Sequence, residues 1–120
     1  MTKIYDQFDA ATKDVSAYAI TKDGANIGRI IFKYPRDGMG RLFAYVQVWG
    51  FPMVRGYASG CGYDKHSAAV ESAVSGLKSG LERDEKSQHI QAWQAAMAKD
   101  AGVRWDDRLR AAGYEARAVI

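Results

Sequence analysis

Residues 41–49 read Arg-Leu-Phe-Ala-Tyr-Val-Gln-Val-Trp, a run in which small aliphatic and large amphipathic side chains alternate without a break. Successive side chains of a strand point to opposite faces, so Leu42, Ala44, Val46 and Val48 share one side and Arg41, Phe43, Tyr45, Gln47 and Trp49 the other. Its β-branched and aromatic content makes this run the most secure strand of the sequence and places it centrally in a sheet. A chain that carries it must bury the aliphatic side under another layer. It must also find a use, or a cover, for a face of rings and cations.

The flanking segments supply the rest of the sheet. Residues 15–21 read as a strand, followed by Asp23 and Gly24, a pair suited to the positive φ angles of a tight hairpin turn. A second strand is expected over residues 27–34. Residues 35–40 combine Pro35 with Gly38 and Gly40 in a hairpin loop that carries Arg36 at its tip. Residues 53–58 give a fourth strand. Ahead of them all, Ile4, Tyr5, Phe8 and Ala11 or Thr12 recur at helical spacing, enough for two turns over residues 4–12.

The second half changes period. Asp64 is a good N-cap, and Ala69 or Val70, Ala73 or Val74, Leu77 and Leu81 predict a helix over 65–81 that lies on the sheet. Ile90, Trp93, Met97 and Ala101 predict a second helix over 84–101, and a third is expected over 106–112 with Gly113 at its end. Residues 114–120 alternate weakly and suit a short edge strand. The expected architecture is a single α+β domain over 1–120. An antiparallel sheet of three to four strands between residues 15 and 58 packs against C-terminal helices at about 65–81, 84–101 and 106–112. A chain of 120 residues, 48% apolar and 26% charged, has the length and composition for one ordinary globular core.

Cysteine and charge narrow the setting. Cys61 stands alone, so no internal disulfide is available, and a reducing, cytoplasmic compartment is expected. The first residues are charged from Lys3 onward and no run of eighteen apolar residues occurs, so neither a signal peptide nor a membrane span is expected. The net charge of +3 is modest but lopsided. Residues 1–62 carry eight basic against five acidic residues, and residues 63–120 nine against nine. An anion-facing surface therefore belongs to the sheet half.

That surface is the ring-bearing face. If registers match, Arg29, Lys33, Met53, Arg55 and Tyr57 from neighbouring strands join Arg41, Phe43, Tyr45 and Trp49, with Arg36 at the loop tip. Rings interleaved with guanidinium groups can anchor a protein interface, or stack bases and neutralise phosphates. Either use needs exposure. The opposing arrangement has the second and third helices, with Trp93 and Trp105, folded across this face as a second core layer.

Catalytic chemistry finds little support. The glycines Gly56, Gly60 and Gly62 precede a helix start, yet a Walker loop needs Gly-Lys followed by Ser or Thr, and a dinucleotide fingerprint needs a third glycine after Gly60 and Gly62. Cys61 with His66 offers a thiol and an imidazole without an assignable orienting group or oxyanion hole. Cys61, His66 and His89 lack the count and spacing of a structural zinc site. Asp84 with Glu85, and Asp106 with Asp107, sit at helix starts where negative charge complements the dipole. No enzyme activity, cofactor or metal is expected.

Two resemblances bear on function. The run 29–46, Arg-Ile-Ile-Phe-Lys-Tyr-Pro-Arg-Asp-Gly-Met-Gly-Arg-Leu-Phe-Ala-Tyr-Val, continuing to Tyr63, Asp64 and Lys65, resembles small accessory proteins of bacteriophages and mobile elements, over about residues 3–81. That class includes counter-defence factors such as anti-CRISPR proteins, which implies a non-enzymatic binding protein. Its role would be to inhibit a host defence complex, a protein or ribonucleoprotein, by blocking a nucleic-acid-binding surface. The order helix, three strands, helix over residues 4–81, with residues 46–50 (Val-Gln-Val-Trp-Gly) and the helix start at Lys65, is also similar to double-stranded-RNA-binding domains. This likeness implies a structured-RNA binder in which Lys65 meets phosphate, and the ring-bearing face gives the alternative of a structured-RNA or single-strand binder. A homodimer through the ring-bearing face or a free edge strand is a further expectation.

Overall fold

In a computed structural model, the structure describes residues 12–35, 41–58, 65–77, 85–99 and 103–119. The expected helix over 4–12, the loop tip at Arg36, the glycine-rich stretch with Cys61 and the N-cap at Asp64 lie outside the described residues. Thr12, the last residue of that expected helix, instead opens a strand.

Among the described residues five strands form one antiparallel sheet: β1 (Thr12–Lys22), β2 (Ala25–Pro35), β3 (Leu42–Val48), β4 (Val54–Ala58) and β5 (Glu115–Ala118), in the order β4-β3-β2-β1-β5. The first four are a meander, and β5 returns to the free side of β1. The count of three to four strands is thus corrected to five, because residues 115–118 gain a partner in β1, far upstream at residues 18–21. The middle position also falls to β2, with β3 between β2 and β4. The β1–β2 turn is as expected: Asp23 and Gly24 have φ of 52° and 82°, the mirror-image turn that follows the natural twist of a hairpin.

Among the described residues three helices follow β4: α1 (Lys65–Ser75), α2 (Glu85–Ala98) and α3 (Trp105–Ala111). α1 packs on β3 and β4, α2 packs on α1 and α3, and α3 reaches β5. The contact between α1 and β4 is close enough to require glycine. A Cβ on Gly56 would lie 2.6 Å from the Ser72 carbonyl carbon and nearer still to the Ala73 nitrogen. α1 ends at Ser75 rather than continuing toward residue 81, and Gly76 forms the turn that follows.

One core fills the space between sheet and helices. Ile20, Ile30, Phe32, Leu42, Ala44, Val46 and Val48 meet Ala69, Val70, Ala73 and Val74 of α1, Ile90, Trp93 and Met97 of α2, and Trp105 and Leu109 of α3. At about 25 cal/mol per Å² of apolar surface, each large side chain buried here contributes roughly 1.5–3 kcal/mol. Edge-to-face rings fix the geometry at one end. Tyr18 lies 5.1 Å from Trp105, and Phe32 lies 4.7 Å from His66.

α3 depends on a neighbour. Its cap residue Arg104 makes no side-chain capping bond, and the buried Ser67 hydroxyl of α1 accepts the Trp105 backbone N–H at 2.9 Å instead. Asp106 and Asp107 lie in its first turn, as expected. At the far end Gly113, with φ of 97°, lets the Tyr114 N–H reach the Leu109 carbonyl at 2.9 Å. Among the described residues no helix is long and apolar enough to cross a membrane.

Candidate binding face

The three described helices sit on the aliphatic side of β3, and Trp93 and Trp105 belong to that core. The arrangement in which they fold across the ring-bearing face is therefore not adopted. Cross-strand pairing assembles the other face as the registers required: Arg29 opposite Gln47, Ile31 opposite Tyr45, Lys33 opposite Phe43, Phe43 opposite Tyr57 and Tyr45 opposite Arg55.

Each of the four described rings of this face carries a cation. Arg29 lies 5.1 Å from the Trp49 ring centroid, Lys33 5.7 Å from Tyr45, Arg55 5.2 Å from Phe43 and Arg41 5.4 Å from Tyr57. Phe43 and Tyr57 are 5.8 Å apart, so Arg41, Tyr57, Phe43 and Arg55 form a continuous ladder of cation, ring, ring, cation across β3 and β4. Each such contact adds about 0.5–1 kcal/mol when exposed and, more to the point, holds a long flexible cation in one place.

The face divides into two kinds of surface. On its β1–β2 side Ala17, Ile31 and Lys33 are buried, with Ile31 and Lys33 at 0% and 1% exposure. Lys33 is thus no open anchor. Sequence reasoning named Lys33 but passed over Ile31, although the same period of two along β2 puts both on this face, and an isoleucine there signals cover. On the β3–β4 side Arg41 and Arg55 are exposed, Phe43 and Tyr45 are half-buried, and Tyr57 is 52% exposed.

Around Trp49 the face is locked. The Arg29 guanidinium donates to Gln47 Oε1 at 3.0 and 3.2 Å, Gln47 Nε2 donates to the Phe51 carbonyl at 3.0 Å, and the Trp49 indole donates to Asn26 Oδ1 at 2.8 Å. Gln47 was placed on this face by its period, whereas Asn26 and Phe51 are members that the sequence did not assign, since their roles depend on the contacts made here. Arg29 is held by the Gln47 amide, and among the described residues neither Arg41 nor Arg55 meets a carboxylate. The strands explain this, because Asp37 is the sole acid between Asp23 and Asp64.

One expected member falls elsewhere. Lys65 opens α1 on the helical side of the sheet, so it does not join the rings, and Arg36 lies outside the described residues. His66 is likewise on the helical side, half-buried against Phe32. Among the described residues no group of three His, Cys, Asp or Glu side chains is placed to hold a metal ion. The chain matches no family model, and no curated protein or solved structure is significantly similar to it.

Proposed function

We propose that the protein is a non-enzymatic binding module that docks an acidic surface of its partner on the β3–β4 side of the outer sheet face. The ladder of Arg41, Tyr57, Phe43 and Arg55 is the observation that supports this reading. A guanidinium stacked on a ring keeps its fork of N–H donors free at the rim, in the geometry that a carboxylate or phosphate accepts bidentately. Because the rings already hold the cations, little side-chain entropy is left to lose on binding.

A host defence complex of the CRISPR type, a protein or ribonucleoprotein, fits as the partner. Electrostatics specifies where on it. A cationic face is repelled by the basic groove that grips nucleic acid and attracted to acidic side chains, or bound nucleic acid, at the mouth of that groove. Inhibition would then follow from covering the entrance. Pull-down from a host lysate with the wild type and the Arg41→Glu/Arg55→Glu double variant tests this. A partner held by the wild type and lost at least about tenfold by the double variant is expected, given about 1–2 kcal/mol per charged contact. Recovery of no stable partner, with normal defence activity in cells making the protein, would overturn it.

Direct binding of structured RNA or single strands is the second reading, and the exposed Tyr57 ring favours it. Stacking platforms, however, offer several open rings, whereas here the chain's own cations occupy Trp49, Phe43 and Tyr45 as well. A mobility-shift series decides: binding that falls steeply with salt supports it, and no shift at low salt removes it.

A further inference from the structure

β5 ends one side of the sheet, and no strand pairs with its far edge among the described residues. The direction of its backbone groups follows from the pairing. Val119 N–H donates to the Ala17 carbonyl at 2.8 Å, and Arg117 and Glu115 stand opposite Ala19 and Thr21. Backbone groups of alternate residues point to alternate sides of a strand, so those of Glu115 and Arg117 face β1 and those of Ala116 and Ala118 face outward. An edge with outward N–H and C=O groups is a template for another strand.

The side chains then select what can pair there. Glu115 and Arg117 are both exposed, share one face of β5, and have no ion-pair partner among the described residues. The geometry points to a second copy of this chain as the occupant, with β5 pairing antiparallel to β5 about a two-fold axis centred on Ala116. In this register Ala116 meets its own equivalent in a hydrogen-bonded pair. Glu115 stands opposite Arg117 of the second copy, and symmetry repeats the contact. The register centred on Arg117 offers the same outward alanines but brings two guanidinium groups face to face, and like charges directly opposite are destabilising. Charge therefore chooses between the two registers.

The two-fold runs along the sheet normal, so the two outer faces lie on the same side of one continuous sheet. The two Arg41–Arg55 ladders end at its opposite edges. Such a dimer would present two copies of the cationic face to one partner and gain by avidity, but the pairing itself does not depend on the function proposed above. A seam of four residues is small beside the ~1,000 Å² of a stable interface, so the dimer is weak and concentration-dependent.

Sedimentation equilibrium from micromolar to sub-millimolar protein tests it. A monomer–dimer equilibrium is expected for the wild type. R117E sets glutamate against glutamate and should raise the dissociation constant about tenfold or more, and the swap E115R/R117E should restore dimerisation. Both positions are exposed, and unchanged thermal midpoints will show that all variants fold. A wild type that stays monomeric throughout, a dimer indifferent to R117E, or a swap that fails to recover would each overturn the pairing. A dimer lost in Arg41→Glu/Arg55→Glu but kept in R117E would overturn it by placing the second copy on the ring-bearing face.

Discussion

Arg108 is 3% exposed, yet each of its three guanidinium nitrogens donates a hydrogen bond. It donates to the Val103 carbonyl at 2.7 Å, to the Met97 carbonyl at 3.0 Å and to Glu71 Oε2 at 2.6 Å, tying α1, the end of α2 and the start of α3 to one group. Removing one partner from a buried network strands the others, so Arg108→Ala should cost about 3 kcal/mol in denaturant unfolding. Tyr114 is buried as well, and its hydroxyl shares a 2.6 Å hydrogen bond with His89 Nδ1. Burial pushes the phenol above its ordinary value, and the Trp93 indole pulls it partway back. An acid whose folded pKa is raised binds its proton more tightly when folded. Its contribution is complete below the unfolded value near 10 and is lost as pH rises through the folded one. Denaturant titrations from pH 7 to about pH 11 should show wild-type stability falling above about pH 10, where the unfolded phenol begins to ionise. Tyr114→Phe should start about 1 kcal/mol lower, without the His89 bond, and lose less over that interval.

At the scale of elements, the seam between α1 and β4 is the most exacting contact. The strand offers Gly56 where the helix backbone at Ser72 and Ala73 comes closest, and neither backbone can retreat without opening the core behind Val70 and Val74. Gly56→Ala should destabilise by about 3 kcal/mol, the upper range for overpacking, and the denaturation midpoint will read it. A glycine in a strand marks a bulge or a close approach, but the sequence does not say what approaches. The element boundaries follow the same logic. Residues 41–49 were legible because alternation over so many positions leaves one period to choose. The end of α1 at Ser75 was not, because Leu77 and Leu81 continue the helical spacing while the backbone turns at Gly76. β5 is four residues long and of weak alternation, so its status as a strand comes from β1 beside it.

For the whole molecule, the decisive division is between the two faces of the sheet, and the tryptophans report it. Trp93 is fully buried between helices and sheet, within 3.1 Å of where a Cβ on Gly28 would stand, whereas Trp49 is half-buried on the outer face under Arg29. Trp93→Ala should cost about 4 kcal/mol, and Trp49→Ala about 2 kcal/mol, for its hydrogen bond and its cation contact together. Equal losses in thermal or denaturant unfolding would mean that the outer face is as much a core as the inner one.

Local chemistry determined a good deal by itself. The period of two along residues 41–49 fixed which side chains share a face, the Asp23–Gly24 pair fixed a turn, and the scarcity of acids between Asp23 and Asp64 fixed the sign of charge on whatever those strands display. These are properties of neighbouring residues, and the backbone repeats impose them on any sheet that contains the run. Which face the helices cover, which rings receive which cations, that Ile31 and Lys33 are closed off while Arg41 and Arg55 are open, and that β5 joins β1 were decided only when distant segments packed together. Periodicity assigns a side chain to a face, but exposure is a property of what lies against that face, and no local pattern encodes it.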